Sequence, residues 1–280
     1  MLEYKPNMFL SNEEFDSIGS SPIRHDGADK VTGRARYGAD NNMSGMLYGK
    51  ILRSPHAHAV IKSVDASEAE AMPGVYAVVT SADWPETSMK LTDLAEGAIH
   101  NLGFLSMNVL ARGKALYKGH AVAAVAAVSN NIAEEALAKI KVDYEVLTPV
   151  LSAEEAIKPG APILHDRLAS VASPALRPGG VLEDGADSMQ TNIANKFEFS
   201  LGDLELGVND SDVIVEKETT TRAVHQGYIE PQAGVAHWQS DGKVTVWSSS
   251  QGQFTVRDQT ARFLGIPVSQ VKAIPMEIGG

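Results

Sequence analysis

Short apolar segments separated by turn residues dominate the first half of the chain. Residues 46–53 and 60–64 are apolar or β-branched and predict two strands, and residues 75–80 predict a third. Residues 121–128, AVAAVAAV, predict a buried strand from their length and flanks, although the alanines also fit a helix. Residues 141–146 alternate in polarity, which is typical of a strand with one buried face.

Two helices are predicted between these strands. Residues 67–72 form a short helical pattern with Ser67 as its N-cap and acidic residues in the first turn. Residues 130–140 have an asparagine cap and an apolar stripe at helical spacing. Residues 84–101 are polar and irregular and predict a loop. The elements together predict an α+β domain over residues 21–150.

The segments on either side of this domain have a different character. Residues 1–20 predict a loose leader. Residues 151–190 contain recurrent prolines and a Gly-Gly pair, and they predict an extended linker. Residues 191–280 then form a second unit, in which residues 213–222 alternate in polarity and predict a strand.

The end of the chain has the pattern of a hairpin, a helix and a strand. Residues 232–238 and 243–248 flank a Ser-Asp-Gly turn and predict a β-hairpin. Residues 253–264 have helical spacing and stop before a glycine and a proline. Residues 268–274 predict a final strand, which the sequence Met-Glu-Ile-Gly-Gly follows.

Composition and charge exclude several classes of protein. The 280 residues include 35 acidic and 24 basic side chains, and the net charge of −11 argues against nucleic-acid binding. The chain has no cysteine, which excludes disulfides, thiolate zinc sites and cysteine-ligated iron–sulfur clusters within it. The first residues lack the apolar core of a signal peptide, and no apolar run approaches the ~20 residues of a membrane span. We therefore expect a cytoplasmic protein without a membrane span.

Two motifs have the residue types of a metal site. His56 and His58 would share one face of a strand, and imidazole is a common metal ligand. No third ligand lies nearby in sequence, so we favour a structural role and predict no metal ligands. The Gly202-Asp203 pair followed by Glu205 could bind a cation, but it is more typical of a turn.

Two further segments could bind or react with a ligand. Glu230 could act as a general base if burial raised its pKa, or could accept hydrogen bonds from nearby backbone, and we favour the second role. Residues 248–253 open the last predicted helix, and Gly279-Gly280 follow the last strand. Helix N-termini and glycine backbone suit a phosphate group, so a phosphate-bearing cofactor and a plain serine cap both fit this pattern.

The order of these motifs resembles the molybdenum hydroxylases, the family of xanthine dehydrogenase, aldehyde oxidase and carbon monoxide dehydrogenase. The resemblance over the first half implies an α/β hammerhead domain. The matching segments are RHDG at 24–27, KVTGRARY at 30–37, RSPHAHA at 53–59, MPGV at 72–75, YKGHAVA at 117–123 and VDYE at 142–145.

The second half resembles the start of the family's molybdenum-cofactor-binding region. The matching segments are Gly202-Asp203 and residues 225–231, 249–251 and 277–280. The resemblance implies that Gln251 lies beside the apical ligand of molybdenum, as a catalytic and cofactor-binding residue. It also implies that Gly279 and Gly280 begin a cofactor-binding loop. The implied fold is α+β, with the hammerhead domain followed by an incomplete, β-rich start of the cofactor domain.

The resemblance further implies an oxidoreductase that hydroxylates aldehydes or aromatic N-heterocycles with oxygen from water. Its cofactor would be molybdenum–molybdopterin, as the cytosine dinucleotide, with 2Fe-2S and FAD groups on other subunits. The glycine loop stops at Gly280, so we expect a split or truncated subunit that is inactive alone. Its partners would be the remainder of the molybdenum-binding subunit, a 2Fe-2S subunit and an FAD subunit. The alternative is a non-catalytic assembly subunit that docks the iron–sulfur and molybdenum chains.

Overall fold

The computed structural model of this chain describes residues 15–83, 85, 87, 91–93, 99–166, 192, 193 and 201–280. The helices are α1 (Gly27–Thr32), α2 (Ser67–Glu70), α3 (Leu102–Val109), α4 (Asn130–Leu137), α5 (Ala153–Ala156), α6 (Leu204–Asn209) and α7 (Gln253–Leu264). The strands are β1 (Tyr48–Arg53), β2 (Ala59–Asp65), β3 (Val75–Thr80), β4 (Leu91–Asp93), β5 (Ile99–Asn101), β6 (Lys114–Ala115), β7 (Ala121–Ala127), β8 (Lys141–Val146), β9 (Gly234–Trp238), β10 (Val244–Ser248) and β11 (Val271–Pro275). In this part of the chain no helix has the length and apolarity needed to cross a bilayer.

The first half contains two antiparallel three-stranded sheets, in the orders β1-β7-β3 and β6-β2-β8. Strand β7 is central and mostly buried, and its alanines allow α4 to pack closely on β7 and β1. Ala123, Val125 and Ala127 of β7 form the core with Ala133 and Ala136 of α4. The strands and helix predicted here are confirmed, including the choice of strand over helix for residues 121–128.

The second half contains one three-stranded sheet, in the order β11-β10-β9. Strands β9 and β10 pair antiparallel, which confirms the predicted hairpin. Strand β11 pairs with β10 in parallel, and the 12-residue helix α7 makes the crossover between them. Such a β-α-β unit brings the carboxyl ends of β10 and β11 to the same edge of the sheet.

The helix caps differ from the predicted ones by one residue. The Ser129 hydroxyl accepts a hydrogen bond from the Ile132 N–H and caps α4, so the cap is not an asparagine. Helix α2 starts after Ala66, and the Asp65 carboxylate accepts hydrogen bonds from the backbone N–H and hydroxyl of Ser67. Ser129 therefore accepts from the first turn of α4, and Asp65 accepts from the first N–H group of α2.

Two predicted segments are corrected. Residues 213–222 are exposed and form no strand, since no described strand pairs with them and alternation alone gives an extended segment no hydrogen-bond partner. Within residues 84–101, predicted as a loop, β4 and β5 pair antiparallel. Residues 1–14 of the predicted leader and 167–190 of the predicted linker lie outside the described residues.

His120 is a fully buried polar residue beside the core of the first half. Its Nδ1 accepts a hydrogen bond from the Leu116 N–H, and its Nε2–H donates to the Met107 carbonyl at 2.8 Å. The ring also stacks on Tyr117, with the ring centres 4.4 Å apart. Burial lowers the pKa of His120, so the neutral ring is the form that the fold holds.

We predict that His120 makes stability depend on pH. Its pKa is lower in the folded chain than the value of about 6.5 for a free histidine. The stability it contributes is therefore complete above pH 6.5 and is lost as the pH falls below it. Urea unfolding of the purified chain between pH 5 and 8 should show this loss.

The control is His120→Gln, which keeps a donor for Met107 and cannot be protonated. It should cost about 1–3 kcal/mol at pH 8, because the Leu116 N–H loses its acceptor. It should also flatten the pH dependence. His165 has a lowered pKa as well, so the difference between the two profiles isolates His120. Parallel profiles would contradict the prediction.

Candidate functional site

Two loops meet at the carboxyl edge of the parallel pair β10–β11. The register runs from Val244 opposite Val271 to Ser248 opposite Pro275, and the Met276 N–H continues it by donating to the Ser248 carbonyl at 3.0 Å. Residues 249–252 follow β10 and residues 276–280 follow β11. The edge therefore carries Gln251 on one loop and Gly279 and Gly280 on the other. Such an edge is where open α/β sheets bind ligands.

Glu230 fastens these two loops together. Its Oε1 accepts a hydrogen bond from the Ser249 hydroxyl, and its Oε2 accepts one from the Gly279 N–H, each at 2.6 Å. The preceding Ile229 N–H donates to the Gly280 carbonyl, also at 2.6 Å. The Ser249 hydroxyl, followed by the Gly279 N–H, lowers the pKa of Glu230. Glu230 is therefore an ionised hydrogen-bond acceptor, as favoured from the sequence, and not a base with a raised pKa.

Two glycines are required by the closeness of this packing. A Cβ on Gly279 would lie 2.6 Å from the Glu230 Cβ, and a Cβ on Gly38 would lie 2.6 Å from the Ala233 carbonyl oxygen. Gly279 thus makes the close approach to Glu230, which a side chain at this position would block.

A polar cavity of about 780 Å³ opens between the β10–α7 loop, the end of β11 and the segment 24–41. Its lining includes Arg36, Asn41, Gln251 and Glu277. Gln251 is exposed there, and Asn41 has a buried Nδ2 with no partner among the described residues. Gly279 and Gly280 do not line the cavity, although the adjacent Ile278 does. The cavity therefore offers amide and cationic donors to a ligand rich in acceptor atoms, beside the carboxylates of Asp26, Asp29 and Glu277.

The segment that precedes β1 also contacts this site. The Glu277 N–H donates to the Arg36 carbonyl at 3.0 Å, and Gly38 packs against Ala233 and Ser249. The sequence pattern that predicts a first domain over residues 21–150 gives no sign of these contacts. The predicted boundaries of that domain stay a prediction.

The other candidate ligands are not brought together. His58 is buried and its Nδ1–H donates to the Thr148 carbonyl at 2.8 Å, while His56 packs edge-on against Tyr144. Both histidines lie in the connection between β1 and β2, so the prediction that they share a strand face is wrong. No group of three His, Asp or Glu residues suited to a metal occurs among the described residues.

Asp203 has a structural role as well. Its carboxylate accepts a hydrogen bond from the Leu206 N–H at 3.0 Å and caps α6. The sequence favoured a turn with a solvated acid at residues 202–205, whereas the structure places Asp203 at a helix N-cap and Glu205 in the first turn of α6.

Two features of the site were missed from the sequence, namely the parallel pairing of β11 with β10 and the contribution of Asn41. The first had a readable signal, because a strand, a 12-residue helix and a second strand in succession are typical of a β-α-β unit. Asn41 had none, since only the folded chain brings it to residues more than two hundred positions away.

We predict that Glu230→Gln loosens the Gly279 backbone. A glutamine can accept from the Gly279 N–H with its oxygen and donate to the Ser249 hydroxyl with its amide nitrogen, so a neutral hydrogen bond replaces a charged one at Gly279. Charged hydrogen bonds contribute about 1 kcal/mol more than neutral ones, which corresponds to roughly fivefold faster hydrogen exchange at the Gly279 amide. The Met276 amide, bonded to Ser248, is the internal control and should be unchanged. Equal protection of Gly279 in both proteins would contradict the role given to Glu230.

Comparison with family models gives two matches. Residues 32–148 match the aldehyde oxidase and xanthine dehydrogenase a/b hammerhead domain, and residues 186–280 match the molybdopterin cofactor-binding domain. A probable xanthine dehydrogenase subunit of Bacillus subtilis is 36% identical over 262 residues, covering 93% of this chain and 30% of the relative. The carbon monoxide dehydrogenase large chain of Afipia carboxidovorans is 29% identical, covering 96% of this chain and 31% of the relative.

Solved structures agree with these matches. The quinoline 2-oxidoreductase of Pseudomonas putida 86 superposes with a TM-score of 0.73 at 31% identity, over 95% of this chain and 31% of that chain. This chain spans about 30% of the length of each of these three relatives. The fold is therefore a mixed α and β arrangement of a hammerhead domain and part of a molybdenum-cofactor domain, and the chain belongs to the molybdenum hydroxylase family, matching the N-terminal part of its large subunit.

Proposed function

We propose that this chain is part of the active site of a molybdenum-dependent hydroxylase, with Gln251 as a catalytic residue. The observation that carries the proposal is the meeting of the Gln251 loop and the Gly279-Gly280 segment at one ligand-binding edge. These two segments are the ones that the family resemblance assigns to the cofactor. A chain that served only to assemble other subunits would have no need of this arrangement.

The residues at the edge fit a molybdopterin group. The buried Asn41 Nδ2 without a partner among the described residues and the exposed Gln251 amide both line the cavity, and both are donors. Oxygen atoms on phosphate, pterin and metal need donors of this kind. When bound, the group would supply the two-electron oxidation of substrate.

Each residue then has a distinct role. Gln251 would donate a hydrogen bond from its side-chain amide to a ligand of the metal, which orients that ligand without moving a proton. Gly279 and Gly280 would bring backbone close to the cofactor. Glu230 would hold the Gly279 backbone against Ser249, so that the two loops keep a fixed separation.

We further propose that the substrate is an aldehyde or an aromatic N-heterocycle. The heterocycle class is supported by the names of quinoline 2-oxidoreductase, nicotinate dehydrogenase of Eubacterium barkeri and the probable hypoxanthine oxidase of Escherichia coli. The aldehyde class is supported by the aldehyde oxidoreductases of Desulfovibrio gigas and Desulfovibrio desulfuricans.

The complete enzyme would need further chains or domains. We propose that the remainder of the molybdenum-binding subunit completes the site, with the pterin as the cytosine dinucleotide. Electrons would leave through 2Fe-2S and FAD groups on other subunits, since a cysteine-free chain cannot ligate an iron–sulfur cluster through thiolates. The chain alone would be inactive. We also propose a cytoplasmic location, because a chain without cysteine forms no disulfide and needs no oxidising compartment.

The first test of this proposal is Gln251→Ala in the assembled enzyme. Loss of one donor to a reacting centre lowers kcat by roughly 10²-fold or more in enzymes of other classes. We expect a fall of this order with molybdenum content and assembly unchanged. Gln239→Ala is the matched control, because Gln239 lies in the turn at the opposite end of β10. An unaltered kcat in Gln251→Ala would leave only the assembly role.

The second test is the composition of the native protein. Purified from its own organism with its partners, the chain should carry about one molybdenum and one pterin per copy, together with iron and flavin on other polypeptides. Metal analysis, pterin fluorescence and intact mass measure these quantities. A native complex free of molybdenum and pterin would contradict the proposed function.

A further inference from the structure

The ammonium group of Lys30 connects α1 to the segment after β11. Its Nζ lies 3.1 Å from an Asp26 carboxylate oxygen, 3.2 Å from a Glu277 carboxylate oxygen and 3.1 Å from the Ile278 carbonyl oxygen. A lysine ammonium has three N–H donors, so all three have an acceptor here. The Lys30 side chain is 21% exposed and the Glu277 side chain 31%, so this pair is more buried than a surface pair such as Lys141–Glu68, at 67% and 50%.

The charges around Lys30 favour a fixed geometry. Arg24 forms a two-pronged contact with Asp26, and Arg24 and Lys30 together hold the pKa of Asp26 well below its usual range. The hydrogen bonds that Lys30 donates to Asp26 and Glu277 raise the pKa of Lys30, so the ammonium stays charged. Arg24 and Lys30 together hold the Asp26 carboxylate, and Lys30 also holds the Glu277 carboxylate.

The position of this contact gives it a consequence for the site. Glu277 and Ile278 directly precede Gly279, which Glu230 holds from the other side. Lys30 thus binds the start of the segment 277–279, and Glu230 binds its end. The only other described bond at its start is the one from the Glu277 N–H to the Arg36 carbonyl, which is also made by the segment that precedes β1.

We propose that Lys30 is a positioning residue for the cofactor, which it retains by holding residues 277 and 278 so that the Gly279-Gly280 backbone stays in place. This inference rests on the proposed function. Lys30 also lines the cavity of the proposed site, but Asp26, Glu277 and the Ile278 carbonyl occupy its three donors, so it acts through the segment that it binds.

The geometry also makes a specific demand on the side chain. An ammonium is a compact charge that can point three donors at three separate acceptors, whereas an arginine presents a planar fork suited to one carboxylate. Arginine at position 30 would keep the charge and lose the simultaneous contacts with Glu277 and the Ile278 carbonyl.

The experiment compares Lys30→Met, Lys30→Arg and the wild type as assembled holoenzymes. Molybdenum and pterin retained per chain are measured during extended dialysis, beside the unfolding temperature and the kcat per bound molybdenum. Lys30→Met should release cofactor about tenfold faster, as expected for the loss of a charged hydrogen bond. Lys30→Arg should restore little of the retention. The kcat per bound molybdenum should stay within about twofold, since no reacting group is removed.

One control variant and one additional test variant accompany these three proteins. Lys243→Met removes a lysine of the same type, paired with Asp241 on the exposed hairpin turn, and should not change retention. Glu277→Gln keeps the shape of the segment and weakens one of the three contacts, so it should release cofactor faster in the same direction. It also provides the measurement if Lys30→Met fails to assemble.

The outcomes separate the two proposals. Retention in both Lys30→Met and Glu277→Gln equal to that of the wild type would overturn the role of Lys30. Full retention in Lys30→Arg would overturn the three-contact geometry. A wild-type holoenzyme without molybdenum and pterin would instead overturn the proposed function itself.

Discussion

The parallel pairing of β11 with β10 is the constraint on which the candidate site depends. An antiparallel hairpin would send the loops after the two strands to opposite edges of the sheet. The crossover through α7 instead returns the chain so that the loop carrying Gln251 and the segment carrying Gly279 lie at the same edge. Gln251 and Gly279 are 28 positions apart in the sequence, and the fold brings both to one edge of the sheet.

Two charged side chains convert this shared edge into a fixed geometry. Glu230 joins the two loops to each other, and Lys30 joins the second loop to the segment before β1. Each of these two charged groups contacts several partners, and neither forms a simple surface ion pair. This distinction matters because exposed pairs such as Lys141–Glu68 contribute little to stability, whereas a charge with every donor or acceptor engaged restricts backbone directly.

Individual helices and strands were predicted well from the sequence, whereas pairings and contacts between distant residues were predicted poorly. Strand β7 and helix α7 were predicted correctly, since burial and helical periodicity act within a dozen residues. The strand predicted at residues 213–222 was wrong, because alternation is a property of the segment while a strand also needs a partner. For the site, Glu230 could be predicted as an acceptor from its polar and aromatic surroundings. The contacts of Lys30 could not, since they join residues 248 positions apart.

That separation in sequence has a bearing on how the site forms. The entropic cost of closing a loop rises only with the logarithm of its length, so a contact across 248 residues is not prohibitive once the sheets exist. It does require both parts of the chain to be folded, because α1 and β11 carry the two ends. The hairpin β9–β10 and the β7–α4 core rely on nearer contacts and can form first. The Lys30 contact therefore forms only when both parts of the chain are in place, and it holds the segment before β1 against the residues that follow β11.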